Sequence, residues 1–377
     1  MPTPILASRR GRLGTLALLA LALASGAQAD VLRIGVASAG GGDPVTFGGS
    51  SLSIARNQQV LEKAFEGSGT EVQWFFFKGA GPAVNEALSN QQIDFAYEGD
   101  LPSVVGRANG LDTRLLAAIG TRSNVYVAVP KGSDIHSLKD LQGRKVAIFR
   151  GTNGHLLAIK VLATQGLTER DLKVINLDTG STQAALAARG VDAGFGGYEL
   201  FKLRDQSLVD IIYDNSENDP VYTRQTALVV RSSYEQAHPE QVQKVVNAVV
   251  DAARWASDSA NQPAVFAEWA KSGAPVASWE ADYQGQSLKV RQSPLLDGFL
   301  QARYQGVADQ AYEQKLIRRP VTVQGWFEPR YLNTALQAKG LQGFWTGYGP
   351  DGKQAEAAAT ASAPAPFKAV EVNHEPG

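Results

Sequence analysis

The chain has 377 residues, with 36 Lys and Arg against 37 Asp and Glu, and 44% of its residues are hydrophobic. That length gives room for two ordinary domains with sizeable cores, and the balanced charge lacks the basic footprint of a nucleic-acid binder. Cysteine is absent, which excludes disulfides, thiolate metal sites and a lipid-modified cysteine anchor.

Taken from the N-terminus, Arg9, Arg10 and Arg12 precede an apolar run from Leu13 to Ala24, and Ala27-Gln28-Ala29 is a small-x-small cleavage site. Residues 1–29 read as a secretory signal peptide, with Asp30 the first mature residue. The run falls short of the roughly 20 apolar residues of a membrane-spanning helix. Arg9-Arg10 raises twin-arginine export, to which the following Gly11-Arg12-Leu13 is a weak match.

Val31–Ala37 alternates as a first strand, and a glycine-rich loop follows from Gly40 to Ser51. Leu52–Phe65 has helical spacing with Ser50 or Ser51 as N-cap. Glu71–Phe77 is a second strand, Gly79-Ala80-Gly81-Pro82 a turn, and Pro82–Ser89 a helix with proline in its first turn. Ile93–Tyr97 is a third strand, followed by the Glu98-Gly99-Asp100 turn, a helix over Leu101–Ala108 and a fourth strand over Leu115–Ile119. The same grammar restarts after Arg144: strand Lys145–Phe149, helix His155–Gln165, strand Lys173–Leu177, a helix from Ser181 to Ala188, and strand Val191–Phe195. Leu88–Asp94 and Leu186–Asp192 share one pattern, in which a helix end and a polar turn lead to an apolar residue and an aspartate.

Strands alternating with helices predict parallel α/β sheets, here in two blocks. Asn124–Pro130 and Tyr222–Arg231 bracket the second block and read as two crossing strands that join two lobes. The predicted organisation is lobe 1 over residues 30–121 and 228–350, lobe 2 with the hinge strands over 122–227, and a disordered Ala/Pro-rich tail over 351–377. Pro239–Trp255 is an amphipathic helix, and the remainder to about Gly343 reads as helical, with Trp255, Trp269, Trp279, Trp326 and Trp345 packing there.

In open α/β sheets, ligands bind beyond the carboxyl ends of the strands. Those ends here are Ser38–Gly42, Lys78–Pro82, Glu98–Asp100, Arg150–His155, Thr179–Ser181 and Gly196–Glu199, rich in glycine and neutral donors. The Lys145–Leu162 stretch concentrates the signal. A strand turns on Gly151-Thr152-Asn153-Gly154 into a helix, whose first N–H groups and positive dipole end favour an oxyanion. Thr152 and Asn153 add donors and Arg150 adds charge. Asp100 reads chiefly as a cap for the following helix, with an amine on a zwitterion as its alternative partner. His155 is a helix-start residue on the cleft wall and a ligand contact rather than a base. Phe47, Tyr97 and Tyr198 supply an apolar lining. No HExxH motif, phosphate-binding loop or full GxGxxG fingerprint is present, and no cofactor or metal is expected.

FKGAGPAVNEAL (Phe77–Leu88), IDFAYEGDLPSVVGRANG (Ile93–Gly110), LKDLQGRKVAIFRGTNGHLLAIKVLATQGL (Leu138–Leu167), VDAGFGGYE (Val191–Glu199) and VTVQGWFEPRYLNTAL (Val321–Leu336) together resemble the periplasmic substrate-binding proteins of aliphatic sulfonate, taurine and nitrate ABC importers. The resemblance implies an α/β, two-lobed type II periplasmic binding protein fold, with two hinge-crossing strands and the cleft between the lobes. It implies a monomer in the periplasm that closes on a small organic anion and presents it to a membrane permease. It also places the acid head near Gly79, Ala80, Gly81 and Pro82, near Gly99 and Asp100, and at Thr152-Asn153. Many relatives carry a tryptophan and an acidic residue after the strand ending at Phe195, where this chain has Gly196-Gly197-Tyr198-Glu199. That difference implies a larger or differently shaped organic group, touched by Tyr198 and Glu199.

The function expected is solute binding for an ATP-driven importer, with an aliphatic sulfonate as the solute. Nitrate, bicarbonate, a sulfate ester and a pyrimidine precursor are the alternatives, and delivery to a sensory receptor rather than a permease is another. Desulfinases also resemble this family, but their chemistry uses a cysteine nucleophile that this chain lacks.

Overall fold

The computed structural model describes residues 30–215 and 220–355. The expected signal peptide (1–29) lies outside the described residues, as does the expected tail from residue 356 onward. Among the described residues, ten strands form two five-stranded sheets. The first contains β1 (Asp30–Val36), β2 (Thr70–Phe76), β3 (Phe95–Gly99), β4 (Thr113–Ser123) and β10 (Arg224–Arg231), in the order β2-β1-β3-β10-β4. The second contains β5 (Tyr126–Pro130), β6 (Lys145–Ala147), β7 (Lys173–Ile175), β8 (Ala193–Gly196) and β9 (Val209–Asp214), in the order β7-β6-β8-β5-β9.

The two orders have one pattern. In each sheet three strands are parallel, and the fourth, the strand that follows a crossing between sheets, is antiparallel to both neighbours. The sheets are therefore mixed rather than purely parallel. β4 runs through Asn124 and Val125 straight into β5 without the helical crossover that a parallel connection needs. The chain changes sheet between Ser123 and Tyr126 and returns between Asp214 and Arg224.

The shared Leu88–Asp94 and Leu186–Asp192 pattern has a structural basis. The Asp94 carboxylate accepts the Arg33 N–H of β1 at 3.0 Å, and the Asp192 carboxylate accepts the Lys145 N–H of β6 at 2.8 Å. Each aspartate thus pins its strand's start to the central parallel strand. Asp94 is fully buried and takes charge from Arg33 and Arg231 as well.

β10 shows how period-2 alternation builds the first core. Leu228 and Val230 join Leu32, Ile34 and Val36 on one face, and Ala227 and Val229 join Ala96 and Leu115 on the other. Helix Pro239–Ala256 covers the first face with Val242, Val245, Val246, Val249 and Val250, all fully buried. Its first-turn proline loses no helical hydrogen bond. The predicted Leu52–Phe65 helix is instead two, Ser51–Asn57 and Val60–Phe65, because Gln59 takes a left-handed conformation with φ 55°. Ser50 caps the first of them by accepting the Ser53 N–H at 3.0 Å.

Candidate functional site

The carboxyl ends of the parallel strands in both sheets open on one cleft of about 460 Å³, within the usual range for a small-molecule site. Of the residues singled out from sequence, Ala80, Gly81, Gly99, Thr152, Asn153, Tyr198 and Glu199 line it.

Helix Ala80–Ser89 starts at the cleft with Ala80 held left-handed at φ 51°. A non-glycine residue there stores about 1 kcal/mol or more of strain, a common mark of functional turns. Gly81 admits no side chain, since a Cβ would stand 2.3 Å from Pro102 Cβ. Helix Asn153–Ala163 begins on the opposite wall. Its N-cap, Thr152, turns its hydroxyl back to donate to the Phe149 carbonyl at 2.7 Å. Of the first-turn N–H groups, that of Ala80 donates to the Phe77 carbonyl at 2.9 Å and that of His155 to the Thr152 carbonyl at 3.0 Å, and the positive dipole ends of both helices lie at the cleft.

The walls touch across the cleft. A Cβ on Gly99 would come 2.7 Å from Asn153 Nδ2, and one on Gly151, at φ 78°, would come 3.0 Å from Pro82 Cγ. Leu156, from the same helix as Asn153, is buried within the first lobe's core. At the mouth, Lys78 lies 3.6 Å from Asp178, which caps helix Thr179–Ala187 by accepting the Ser181 N–H.

Five of the expected contact residues, Gly79, Pro82, Asp100, Arg150 and His155, do not line the cleft, and Asp100 serves the following helix as its cap reading expects. Arg150 turns outward and pairs with Glu169 at 3.1 Å, its side chain 48% exposed. His155 is buried, with Nδ1 accepting the Gly151 N–H at 3.2 Å and Nε2 lying 3.3 Å from Glu169. That arrangement puts the ring proton on Nε2 and spends both nitrogens on holding the loop. The Asp100 carboxylate accepts the Leu101 N–H at 2.7 Å and the Gln225 N–H at 3.0 Å, which fixes the start of β10, and Asp100 does not line the cleft. Burial raises its pKa to about 6. Gly79 and Pro82 flank the turn without lining the cleft, Gly79 as the helix N-cap and Pro82 against Gly151.

Two site groups escaped the sequence reading. Arg224, at the start of β10, reaches into the cleft. Its Nη2 donates to the Asn124 carbonyl at 2.5 Å, its Nε is buried without a partner, and it forms no ion pair among the described residues. Its signal was a lone arginine entering an apolar crossing strand. Trp279 packs within the helical remainder as expected, 5.2 Å from the Trp269 ring, and also stacks on Tyr198 with ring centroids 3.6 Å apart, so residues from both lobes form one aromatic wall. Phe47 and Tyr97 meet edge to face at 5.0 Å on the facing side. The glycine-rich loop runs close beneath: a Cβ on Gly48 would come 2.5 Å from Trp279, and one on Gly41 2.2 Å from the Ser272 carbonyl.

Behind that wall the hinge carries a buried ion pair. Arg291 and Asp282 are 5% and 3% exposed at 2.8 Å. Asp282 also accepts the Tyr126 hydroxyl at 2.9 Å, and its backbone carbonyl accepts from the Asn124 side-chain amide.

Two mixed α/β sheets, two crossings between them and a donor-lined cleft at their facing strand ends define a two-lobed solute-binding protein of type II topology. The chain belongs to the NMT1/THI5-like family, which it matches over residues 65–263. It is 28% identical over 217 residues to a putative aliphatic sulfonates-binding protein of Bacillus subtilis (strain 168), covering 57% of this chain. The chain spans only 64% of the length of that curated relative. Among solved structures it is similar to the putative periplasmic sulfonate-binding protein of a Methylobacillus flagellatus KT sulfonate ABC transporter, with TM-score 0.72 and 30% identity, covering 85% of this chain and 98% of that one. It is also similar to the alkanesulfonate-binding protein of Xanthomonas axonopodis pv. citri, solved bound to MOPS, with TM-score 0.67 and 25% identity over 79% of this chain and 98% of that one. The resemblance read from the sequence motifs thus holds at the level of family and fold.

Proposed function

We propose that this protein is the exported solute-binding component of an ATP-driven importer, and that its solute is an aliphatic sulfonate. The observation that carries the reading is the convergence of two helix N-termini, at Gly81 and at Thr152-Asn153, with the guanidinium of Arg224, which has no ion-pair partner among the described residues, in one interlobe cleft. Three oxygens on one sulfur can take backbone donors from both lobes at once. Each charge-assisted hydrogen bond contributes roughly 1.5–3 kcal/mol. A ligand bridging the lobes stabilises the closed state by its differential affinity for it.

The organic part of the solute lies against Tyr198 and Trp279, with Glu199 beside it. Nitrate and bicarbonate would leave most of about 460 Å³ empty, which favours an organic anion; a sulfate ester and a pyrimidine precursor remain the competing solutes. The two lobes, each built on one sheet and joined where the chain crosses after Ser123 and before Arg224, act as the moving halves of a periplasmic monomer that engages a membrane permease and no nucleic acid. Binding rather than catalysis is favoured because desulfinase chemistry uses a cysteine and the chain has none.

Thermal-shift screening and calorimetry with ethanesulfonate, taurine, MOPS, a sulfate ester, nitrate and phosphate test the reading. A ligand at 100 times its Kd should add about 2.7 kcal/mol of stability. Thr152→Ala combined with Asn153→Ala should weaken the ligand at least tenfold without unfolding the protein. Shifts with nitrate alone would refute the sulfonate reading, and unchanged affinity in the double variant would move the head group elsewhere.

A further inference from the structure

Glu98, the last side chain of β3 before the Gly99 turn, is 1% exposed and has no ion-pair partner among the described residues. Its Oε2 lies 2.9 Å from Ser103 Oγ, while that same hydroxyl lies 2.8 Å from the Gly99 carbonyl. A hydroxyl has one proton to give, and the carbonyl can only accept. That one proton serves either Glu98 Oε2 or the Gly99 carbonyl, and whenever it serves the carbonyl, Glu98 needs a proton of its own to keep the contact with Ser103 Oγ. Glu98 Oε1 is buried with no hydrogen-bond partner, a state a neutral acid tolerates far better than a carboxylate.

The position of this carboxyl matters for the cleft above it. Its Oε1 lies 3.5 Å from where a Cβ on Gly81 would stand, and its own backbone leads directly into Gly99. Both glycines line the cleft at the turns assigned to the oxyanion. The surroundings supply little to offset a charge on Glu98. Helix Asp100–Ala108 brings Ser103 and the buried Asp100, and helix Gly298–Glu313 brings the buried Tyr304 hydroxyl, which faces Ser103. Tyr97 precedes Glu98 on the same strand, and helix Ala80–Ser89 brings the neutral Asn85. The cations on this side, Lys160 of helix Asn153–Ala163 and Arg224 of β10, act on Asp100.

We propose that Glu98 is a proton-dependent positioning residue of the anion site: its carboxyl must hold a proton for an oxyanion to sit at the Gly81 and Gly99 turns, and its ionisation weakens that binding. The inference rests on the reading of the cleft as an oxyanion site. Two like charges on either side of one glycine turn, one of them buried, oppose each other. By linkage, the bound anion in turn holds the proton on Glu98 more tightly. Burial raises the pKa of Glu98 to about 8 before any anion is added, so the switch falls just above neutral pH. The solute is captured at neutral or acidic pH and released on the alkaline side.

Calorimetric titration of the purified protein with ethanesulfonate at pH 6.5, 7.5, 8.5 and 9.5, alongside Glu98→Gln, tests this. The wild type should lose affinity above pH 8 by up to tenfold per pH unit, and Glu98→Gln, neutral at every pH, should lose that dependence. An infrared difference between wild type and Glu98→Gln, recorded without ligand, should contain a protonated-carboxyl C=O stretch at pH 7 that disappears above pH 8. Parallel pH profiles of the two proteins, or no such stretch, would overturn the assignment while leaving the cleft an oxyanion site. Absence of ethanesulfonate binding at every pH, with nitrate bound instead, would remove the sulfonate reading; the pH comparison on nitrate then decides the role of Glu98 by the same criterion.

Discussion

Arg224 Nη2 donates to the Asn124 carbonyl at 2.5 Å, so the strand that returns to the first sheet is tied to the residue through which the chain left it. This one contact joins both crossings between the lobes at the edge of the cleft. Arg224 also lines the cleft, and its Nε is buried without a partner. A residue of the crossing is therefore also a residue of the cleft wall.

Arg224→Met should lower affinity for the bound anion by about 10-fold to 100-fold, the loss of one or two charge-assisted hydrogen bonds. Arg150→Met should change it less than twofold, because that side chain is committed to Glu169 on the outer surface. Calorimetry on the two variants separates the charge that serves the cleft from the charge that does not. The reverse ranking would restore Arg150 to the site.

Gly99→Ala isolates closure from chemistry. The backbone at Gly99, with φ −75°, suits alanine, so the only new feature is a methyl group 2.7–2.8 Å from the Asn153 side chain. That methyl wedges the lobes apart where they meet. The expected result is at least tenfold weaker binding and a larger radius of gyration with ligand present, by small-angle scattering, while unfolding without ligand changes little. A variant that closes to wild-type dimensions would show that the lobes do not need this contact.

Much of the architecture was legible because it is local. The alternation of strands and helices, the valine stripe of Pro239–Ala256 and the paired Asp94 and Asp192 all follow from short-range pattern, and each appears where expected. What escaped depends on partners distant in sequence. Val209–Asp214 was not recognised as a strand; it is an edge strand with mostly half-buried residues and little alternation to read. Arg150 and Arg224 look alike in sequence, each beside a strand end. Their directions are set by Glu169 in one case and by Asn124, 100 positions away, in the other. Trp279 belongs to a short helix whose composition suggests core packing, and only the fold brings it onto Tyr198.

The buried pair of Arg291 and Asp282 predicts a large and specific stability effect. Asp282→Asn leaves the Arg291 guanidinium buried beside the Tyr283 ring without a counter-charge. Breaking one side of such a pair costs about 3–5 kcal/mol. Replacing both partners, as Asp282→Leu with Arg291→Met, should cost less than Asp282→Asn alone. Urea unfolding of the three proteins checks the order, and a double variant less stable than Asp282→Asn would mean that the Tyr126 and Asn124 contacts, not the charge, dominate.

Stability should also fall as pH rises, and the sign follows from burial. Glu98 has its folded pKa raised from 4.5 to about 8, and Asp100 from 3.8 to about 6, in both cases because burial disfavours the charged form. Below about pH 3 both groups keep their protons whether the chain is folded or not, so neither penalises folding. As pH rises from there, the unfolded chain releases protons that the folded chain retains, and stability falls by at most about 1.4 kcal/mol per pH unit for each group. The contribution of Asp100 levels off above pH 6 and that of Glu98 above pH 8. Glu98→Gln removes the second component alone, so the gap in unfolding free energy between it and the wild type should widen in its favour between pH 5 and pH 8 and then stay constant. Urea titrations at pH 5, 6.5, 8 and 9 measure that gap, and a gap that does not vary with pH would mean that Glu98 is already ionised in the folded protein.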